Sequence, residues 1–371
     1  MSLRPLFEGA GGRLLDLPVL HAADPFLETA GEDIRRRMFV TEGPSGERLA
    51  LRPDFTIPVC LHHLRSGVEA GRYFYEGVVF RRHDRGSAER AETGFEVIGE
   101  AERANVDAEL LALAVEGVRR TGLAGMRLRI GDIGLFTALL AALELPQAWR
   151  QRFRRAFGAD RRIEVLIARF EETASASVPS RLEPDLEKAA GDQDQEALTT
   201  LLAERFEAQG YQAYASRAPE EIAARFLEQR ALYETEIAPE KVAVLKAFLA
   251  IEATPQDLPE RLAEFGRRFG IDLKEPGARL ERRMQKLERR SSGLEVVFEA
   301  GFGRALDYYT GLVFEIRDAA TGRTAAGGGR YDRLLEMLGA DRPIPAAGFT
   351  IDLGEARTFA GALGSGLGGV S

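Results

Sequence analysis

The sequence predicts an α+β fold: a mostly antiparallel sheet, flanked by helices and interrupted by a helical insertion. Three observations lead there. The opening stretch reads as short strands and turns; residues 146–290 are charged, Ala- and Leu-rich helical pattern; strand composition returns at Leu294. Strands at both ends of a chain with helices between them belong to a sheet whose two parts meet again in space. Residues from both ends are therefore expected to share one site.

Taken in order, candidate strands run Arg13 to Val19, Arg37 to Thr41, Arg48 to Leu51, Arg72 to Arg81 and Thr93 to Gly99. Pro53 to Leu64 reads as a helix with its proline near the start. A second helix follows from Asn105, because Val106, Leu110, Leu113, Ala114 and Gly117 share one face. Met126 to Ile130 reads as a strand and Leu135 to Leu143 as a helix. The middle stretch is broken at Pro179, Pro184, Pro219, Pro239, Pro255, Pro259 and Pro276, with helical pattern clearest at Gln195 to Gln209 and Lys241 to Ile251. Strands resume at Leu294 to Glu299, Tyr308 to Arg317 and Ala346 to Leu353. Gly327-Gly328-Gly329 reads as a tight turn leading into a helix. These boundaries predict a core of residues 1–145 and 291–360, an insertion over 146–290, and a Gly-rich, disordered tail over 361–371.

Composition narrows the function. At 371 residues the chain is long for a single core. Its net charge of −8 argues against nucleic-acid binding as the main activity, which relies on an excess of Lys and Arg. Cys60 is the only cysteine and the histidines are His21, His62, His63 and His83, so neither a disulfide nor a structural metal is expected. No apolar run approaches the ~20 residues that span a bilayer. No basic region followed by an apolar core opens the chain, so a cytoplasmic protein is expected. A phosphate loop and a Ser-His-Asp arrangement have no local support, and no cofactor is expected.

Arg72 to Arg81 and Glu92 to Gly99 read as two strands joined by a polar loop, Arg82 to Ala91. The strand period sets Glu92, Gly94 and Glu96 on one face and Phe95 and Val97 on the other; Arg81 shares a face with Tyr73 and Tyr75. Such a face suits an amino acid, with Arg on the α-carboxylate and acids on the α-amine or an imidazole N–H. A solvated face crossed by ion pairs uses the same residue types, so the hairpin alone leaves both readings open. Leu51 to Pro58 is a strand-to-helix junction in which Asp54 and Thr56 are natural capping residues. Gly303 to Glu315 sets Arg304, Asp307, Tyr308 and Tyr309 beside the strand positions Leu312, Val313 and Phe314. Arg and Asp rarely go inside unless paired or liganded, which fits a pocket wall. Tyr331 follows the glycine triplet.

In their joint order, Leu51-Arg52-Pro53-Asp54-Phe55-Thr56, Val79-Phe80-Arg81, Gly94-Phe95-Glu96-Val97-Ile98-Gly99, Arg304 to Gly311, Gly328 to Asp332 and Pro345 to Ile351 resemble the histidyl-tRNA synthetase catalytic core over residues 13–130 and 294–357. Each motif is weak alone; the shared order is specific. The resemblance implies a class II aminoacyl-tRNA synthetase-like antiparallel sheet, dimerisation through the N-terminal motif, and a histidine pocket. By the same resemblance Asp54 matches the carboxylate that holds the amino group and Thr56 its neighbour. Arg81 matches the arginine that opens the second motif, Glu96 a pocket acid, and Glu92 a position where the family commonly has Gln. Arg304, Asp307, Tyr308, Tyr309 and Tyr331 match the histidine-specific segments.

Departures from the synthetases are as informative. The loop Arg82 to Ala91 is shorter than theirs and lacks the Arg-Pro-Gln pattern that contacts ATP and the acceptor end. The third motif reads Asp352-Leu353-Gly354-Glu355, with Glu355 where an arginine against ATP belongs; Arg357 lies two places on. A glutamate there repels triphosphate. No anticodon-binding domain is expected after it. This combination is similar to the synthetase-like regulatory subunits of short-form ATP phosphoribosyltransferase. That similarity implies a non-catalytic subunit of histidine biosynthesis whose partner is the short catalytic subunit and whose effector is histidine. It also implies a homodimer within a hetero-octamer, and neither tRNA nor membrane as partner. The alternative is a truncated histidyl-tRNA synthetase or histidyl-adenylate-forming paralogue, which Arg304 favours.

Overall fold

The computed structural model describes residues 2–29, 31–82, 87–123, 125–157, 163, 165–168, 183–208, 219–220, 222–224, 226–227, 237–288, 294–304, 306 and 308–354. The chain forms two compact units. One comprises Met1–Ala142, Phe157–Asp160 and Leu245–Ser371; the other comprises Leu143–Ala156 and Arg161–Val244.

The first unit opens with α1 (Arg4–Gly9), β1 (Arg13–Leu14), β2 (Leu20–Ala22), α2 (Asp24–Thr29), α3 (Gly31–Arg37), β3 (Phe39–Glu42), β4 (Arg48–Leu51) and α4 (Thr56–Ser66). The hairpin β5 (Gly71–Phe80) and β6 (Glu89–Ile98) follows, then α5 (Arg103–Arg120), β7 (Met126–Asp132) and α6 (Ile133–Ala142). Described helices of the second unit are α7 (Gln147–Ala156), α8 (Pro184–Gly191) and α9 (Gln195–Ala208); α10 (Pro239–Leu249) bridges the boundary at residue 244. The first unit then continues through β8 (Glu252–Ala253), α11 (Leu258–Phe269), α12 (Lys274–Glu288), β9 (Glu295–Glu299), β10 (Leu312–Asp318), β11 (Thr324–Arg330), α13 (Leu334–Met337) and β12 (Ala346–Asp352).

A nine-stranded sheet runs in the order β1-β5-β6-β12-β11-β10-β7-β9-β8, and β2-β4-β3 form a separate small sheet. Pairings in the large sheet are antiparallel except β1 with β5 and β7 with β9. The α+β reading therefore holds, and strands from both ends of the chain do meet, at β6 against β12. One register row, Phe74–Phe95–Phe349–Gly328–Phe314–Ile130, lies on the buried face. Paired residues of adjacent strands project to the same side, so these rings form a continuous layer under Phe7, whose ring centroid lies 5.7 Å from Phe74 and 5.6 Å from Phe95. Burying each such ring contributes roughly 1.5–3 kcal/mol. The apolar stripe of α5 closes over this face, and its approach at Gly117 is tight: a Cβ there would come within 2.6 Å of Ile351 Cδ1.

Several expectations need correcting. Gly327-Gly328-Gly329 is the middle of strand β11, not a turn. Glycine serves here because neighbouring groups occupy the space a Cβ would need: Arg304 at Gly327, the Gly348 carbonyl at Gly328, and the Leu312 carbonyl 2.6 Å away at Gly329. The strand expected over Arg13 to Val19 pairs only at Arg13 and Leu14. The β5–β6 ladder extends to Phe80 opposite Glu89, which shortens the polar loop that composition placed at Arg82 to Ala91. The stretch 146–290 read as one insertion is divided: Leu245 onward belongs with the sheet unit, where α12 packs on α5 and Arg283 reaches Asp107. Charged helical composition does not distinguish a helix that covers a sheet from one that does not. The tail 361–371 lies outside the described residues.

Within the second unit, Leu186, Ala189, Leu198 and Ala223 form a buried cluster. Arg205 ties α9 to the start of α8 through Asp185 at 2.9 Å. Among the described residues no helix is long and apolar enough to cross a membrane.

Candidate functional site

The face of the sheet opposite the phenylalanine layer carries the polar residues. Its register rows are Tyr73–Glu96–Gly348–Gly329–Val313 and Tyr75–Gly94–Thr350–Gly327–Glu315. Glycines in the middle of both rows make a trough. A Cβ at Gly348 would overlap the Glu96 carboxylate, and one at Gly327 would overlap the Arg304 guanidinium.

Glu96, 1% exposed, is the centre of this face. Its Oε1 accepts from Thr56 Oγ1 at 2.8 Å and from Tyr75 OH at 3.2 Å, and its Oε2 accepts from Tyr331 OH. Tyr75 OH is 2.9 Å from Thr350 Oγ1. Burial pushes the Glu96 carboxyl up to about 7, although its three hydroxyl donors favour the ionised form. Near neutral pH this group stands between charged and uncharged.

Asp54 lies at the junction of β4 and α4. Its Oδ1 accepts from Ile57 N at 3.1 Å, the helix-start role that its residue type suggests. Its Oδ2 is buried with no hydrogen-bond partner among the described residues, and burial raises its pKa. Thr56, also a natural cap by type, instead turns its hydroxyl to Glu96. Arg81 sits just past β5, with Nε donating to Pro53 O at 2.6 Å and Nη1 3.3 Å from Glu92 Oε1. Glu92 is 5% exposed, so the acidic hairpin face is an interior one and not a solvated surface. Burial raises the Glu92 pKa, against the pull of Arg81.

The segment after β9 closes the trough. Arg304 Nη1 donates to Glu315 Oε1 at 3.2 Å and to Phe314 O at 3.4 Å, while its Nε is buried without a partner among the described residues. Tyr308, Tyr309 and Tyr331 stand around one another, with ring centroids 5.0, 5.8 and 6.5 Å apart. Asp307 lies outside the described residues, as do Glu355 and Arg357 of the third motif.

The structure thus brings together Asp54, Thr56, Arg81, Glu92, Glu96, Arg304, Tyr308, Tyr309 and Tyr331. It adds Tyr75, Thr350 and Glu315. Tyr75 had a signal, its shared strand parity with Tyr73 and Arg81; Thr350 and Glu315 fall within the stretches Pro345 to Ile351 and Gly303 to Glu315, and sheet register alone brings them to this face. Phe55 stacks on Tyr75 at 4.3 Å, with the Arg52 guanidinium 4.2 Å from the Phe55 ring, which holds Tyr75 toward Glu96. Chemically, the trough offers buried carboxyls, guanidinium groups and an aromatic wall. A buried acceptor and a buried donor left open, Asp54 Oδ2 and Arg304 Nε, are what a small molecule with an ammonium and an acidic group would complete. Among the described residues no three of His, Cys, Asp and Glu converge as a metal ion would require.

The histidyl-tRNA synthetase family model matches residues 1–228 and 195–356. An ATP phosphoribosyltransferase regulatory subunit of Chelativorans sp. (strain BNC1) is 40% identical over 96% of this chain and 95% of its own length. The regulatory subunit of Sinorhizobium medicae is likewise 40% identical, over 96% of this chain and 95% of its own. Among solved structures, an ATP phosphoribosyltransferase regulatory subunit/histidyl-tRNA synthetase from Bacillus halodurans aligns with a TM-score of 0.64 at 20% identity, covering 96% of this chain and 76% of that one. A histidine–tRNA ligase subunit from Alicyclobacillus acidocaldarius aligns at 0.59 and 24% identity, covering 98% and 91%. These two likenesses speak for the fold alone. Identity of 40% over nearly the full length of both regulatory subunits, together with the matching family model, shows that the chain belongs to the ATP phosphoribosyltransferase regulatory subunits, a family within the histidyl-tRNA synthetase-like proteins.

Proposed function

We propose that this chain is the non-catalytic subunit which a short-form ATP phosphoribosyltransferase needs for activity in the first step of histidine biosynthesis, and that its trough binds histidine as feedback inhibitor. The single observation that supports this most is that two atoms of the site, Asp54 Oδ2 and Arg304 Nε, are buried without a hydrogen-bond partner among the described residues. In this reading Asp54 takes the α-ammonium and Arg304 or Arg81 the carboxylate. Glu96, with a pKa of about 7, takes an imidazole N–H. An acid that titrates near the imidazole's own range can pair with either ring form.

Catalysis by the chain alone is disfavoured by the short β5–β6 loop and by Glu355 at the motif-three position. Arg304, the residue that argues for adenylation, is tied to Glu315. The working assembly in this proposal contains a dimer of this chain within a hetero-octamer. Exposed Val19, Leu20 and Val40 on or beside the small sheet supply apolar surface for contacts.

The test is reconstitution. Mixing the chain with a short catalytic subunit should restore phosphoribosyl transfer and make it histidine-sensitive. ATP–pyrophosphate exchange driven by histidine and the chain alone, at a turnover typical of synthetases, would overturn the proposal.

A further inference from the structure

A second concave site lies on the other side of the sheet, under α5, α6 and α12. Its volume is about 360 Å³, within the range of small-molecule pockets. The residues that decide its character are Arg103, Arg279, Arg282, Arg283 and Arg330.

The carboxylates nearby are already committed. Asp107 holds Arg330 through Oδ1 at 2.6 Å and Arg283 through Oδ2 at 2.7 Å. Asp332 takes Arg330 at 2.8 Å, Arg103 at 3.1 Å and the Ala346 N–H at 3.0 Å. Asp132 caps α6 by accepting from Leu135 N at 2.8 Å, which also removes that helix end as an anion donor. Arg279 pairs with exposed Glu275 on its own helix, and Arg282 has no carboxylate partner among the described residues. The mouth therefore presents guanidinium N–H groups in excess of acceptors.

Their spacing concentrates this excess. Arg279, Arg282 and Arg283 are three and four apart on α12, so they crowd one helix face, with Arg103 of α5 across the mouth. Like charges at that spacing destabilise a helix. An anion between them converts that repulsion into attraction. Planar guanidinium forks match phosphoryl oxygens two at a time, and Arg282 brings the one positive charge that Asp107, Asp132, Asp332 and Glu275 leave over.

We propose that this pocket binds a small phosphorylated anion, one per chain, independently of the amino-acid trough. Binding here does not require that the trough hold histidine. The two sites use different residues, and they meet only where Arg330 points to Asp107 and its neighbour Tyr331 to Glu96.

The experiment is calorimetric titration of pyrophosphate into the full chain at fixed ionic strength. Saturable binding at one per chain is expected, weakened tenfold or more in the R279A/R282A double variant. Both side chains are exposed, so its thermal midpoint should match the wild type. E96Q should bind pyrophosphate as the wild type does. Absence of saturable binding at millimolar pyrophosphate, or unchanged binding in R279A/R282A, overturns the proposal. Loss of pyrophosphate binding in E96Q overturns it too, by moving the anion into the trough.

Discussion

Glu96 couples stability to pH in one side chain, and under the proposed function it couples both to the ligand. Its folded pKa of about 7 lies above its ordinary value of 4.5, so the folded chain holds this proton more tightly than the unfolded one. The resulting stabilisation is fully present below 4.5 and is lost as pH rises through about 7. Glu96→Gln mimics the protonated form. Its unfolding free energy relative to wild type should therefore rise across that window, measured by urea denaturation on both sides of it; a constant difference would place the titration elsewhere. The same substitution should weaken histidine inhibition of the reconstituted transferase about tenfold or more while leaving assembly intact, as read by inhibition curves and co-elution. Sequence alone showed Glu96 as one of two acids on a strand face. It did not show Thr56 leaving the helix cap to serve it, because that choice depends on α4 lying against β6.

Strand β11 shows the same at the scale of an element. Three glycines in a row argue for a turn by propensity, yet they sit in a central strand because Arg304, Gly348 and Leu312 fill the space above and below. Gly348→Ala on β12 should displace the Glu96 carboxylate and abolish histidine sensitivity, at a destabilisation of about 1–3 kcal/mol from overpacking; thermal denaturation and inhibition curves check both. At the end of β11, Arg330 is 2% exposed and bonded to Asp107 of α5. Arg330→Ala should cost about 3–5 kcal/mol, because it leaves Asp107 less well paired in the interior. Urea unfolding measures this, and a loss below about 1 kcal/mol would show the pair contributes little. Hairpin β5–β6 and helix α5 were legible because their periodicities are long and strict. The turn-versus-strand choice at Gly327 was not, since nothing local carries it.

For the whole molecule, the proposed feedback inhibition requires histidine to favour one assembly state over another, a coupling of about 1–3 kcal/mol. Linkage is reciprocal, so adding the catalytic subunit should change histidine affinity by the same factor, about 5–150-fold. Calorimetry with and without the partner measures it directly. Identical affinities would separate the trough from regulation.

The order of motifs along the chain pointed to the family and the α+β class and named most of the residues that the sheet face brings together, because each motif is a local pattern that survives reading in one dimension. Depth was settled only in three dimensions. Whether Glu92 and Glu96 face water or the interior, that Asp54 Oδ2 and Arg304 Nε stay open, and that α12 closes over the sheet unit all follow from strand register and helix packing. Those join residues more than two hundred positions apart, as Glu96 with Tyr331, and no local pattern encodes them.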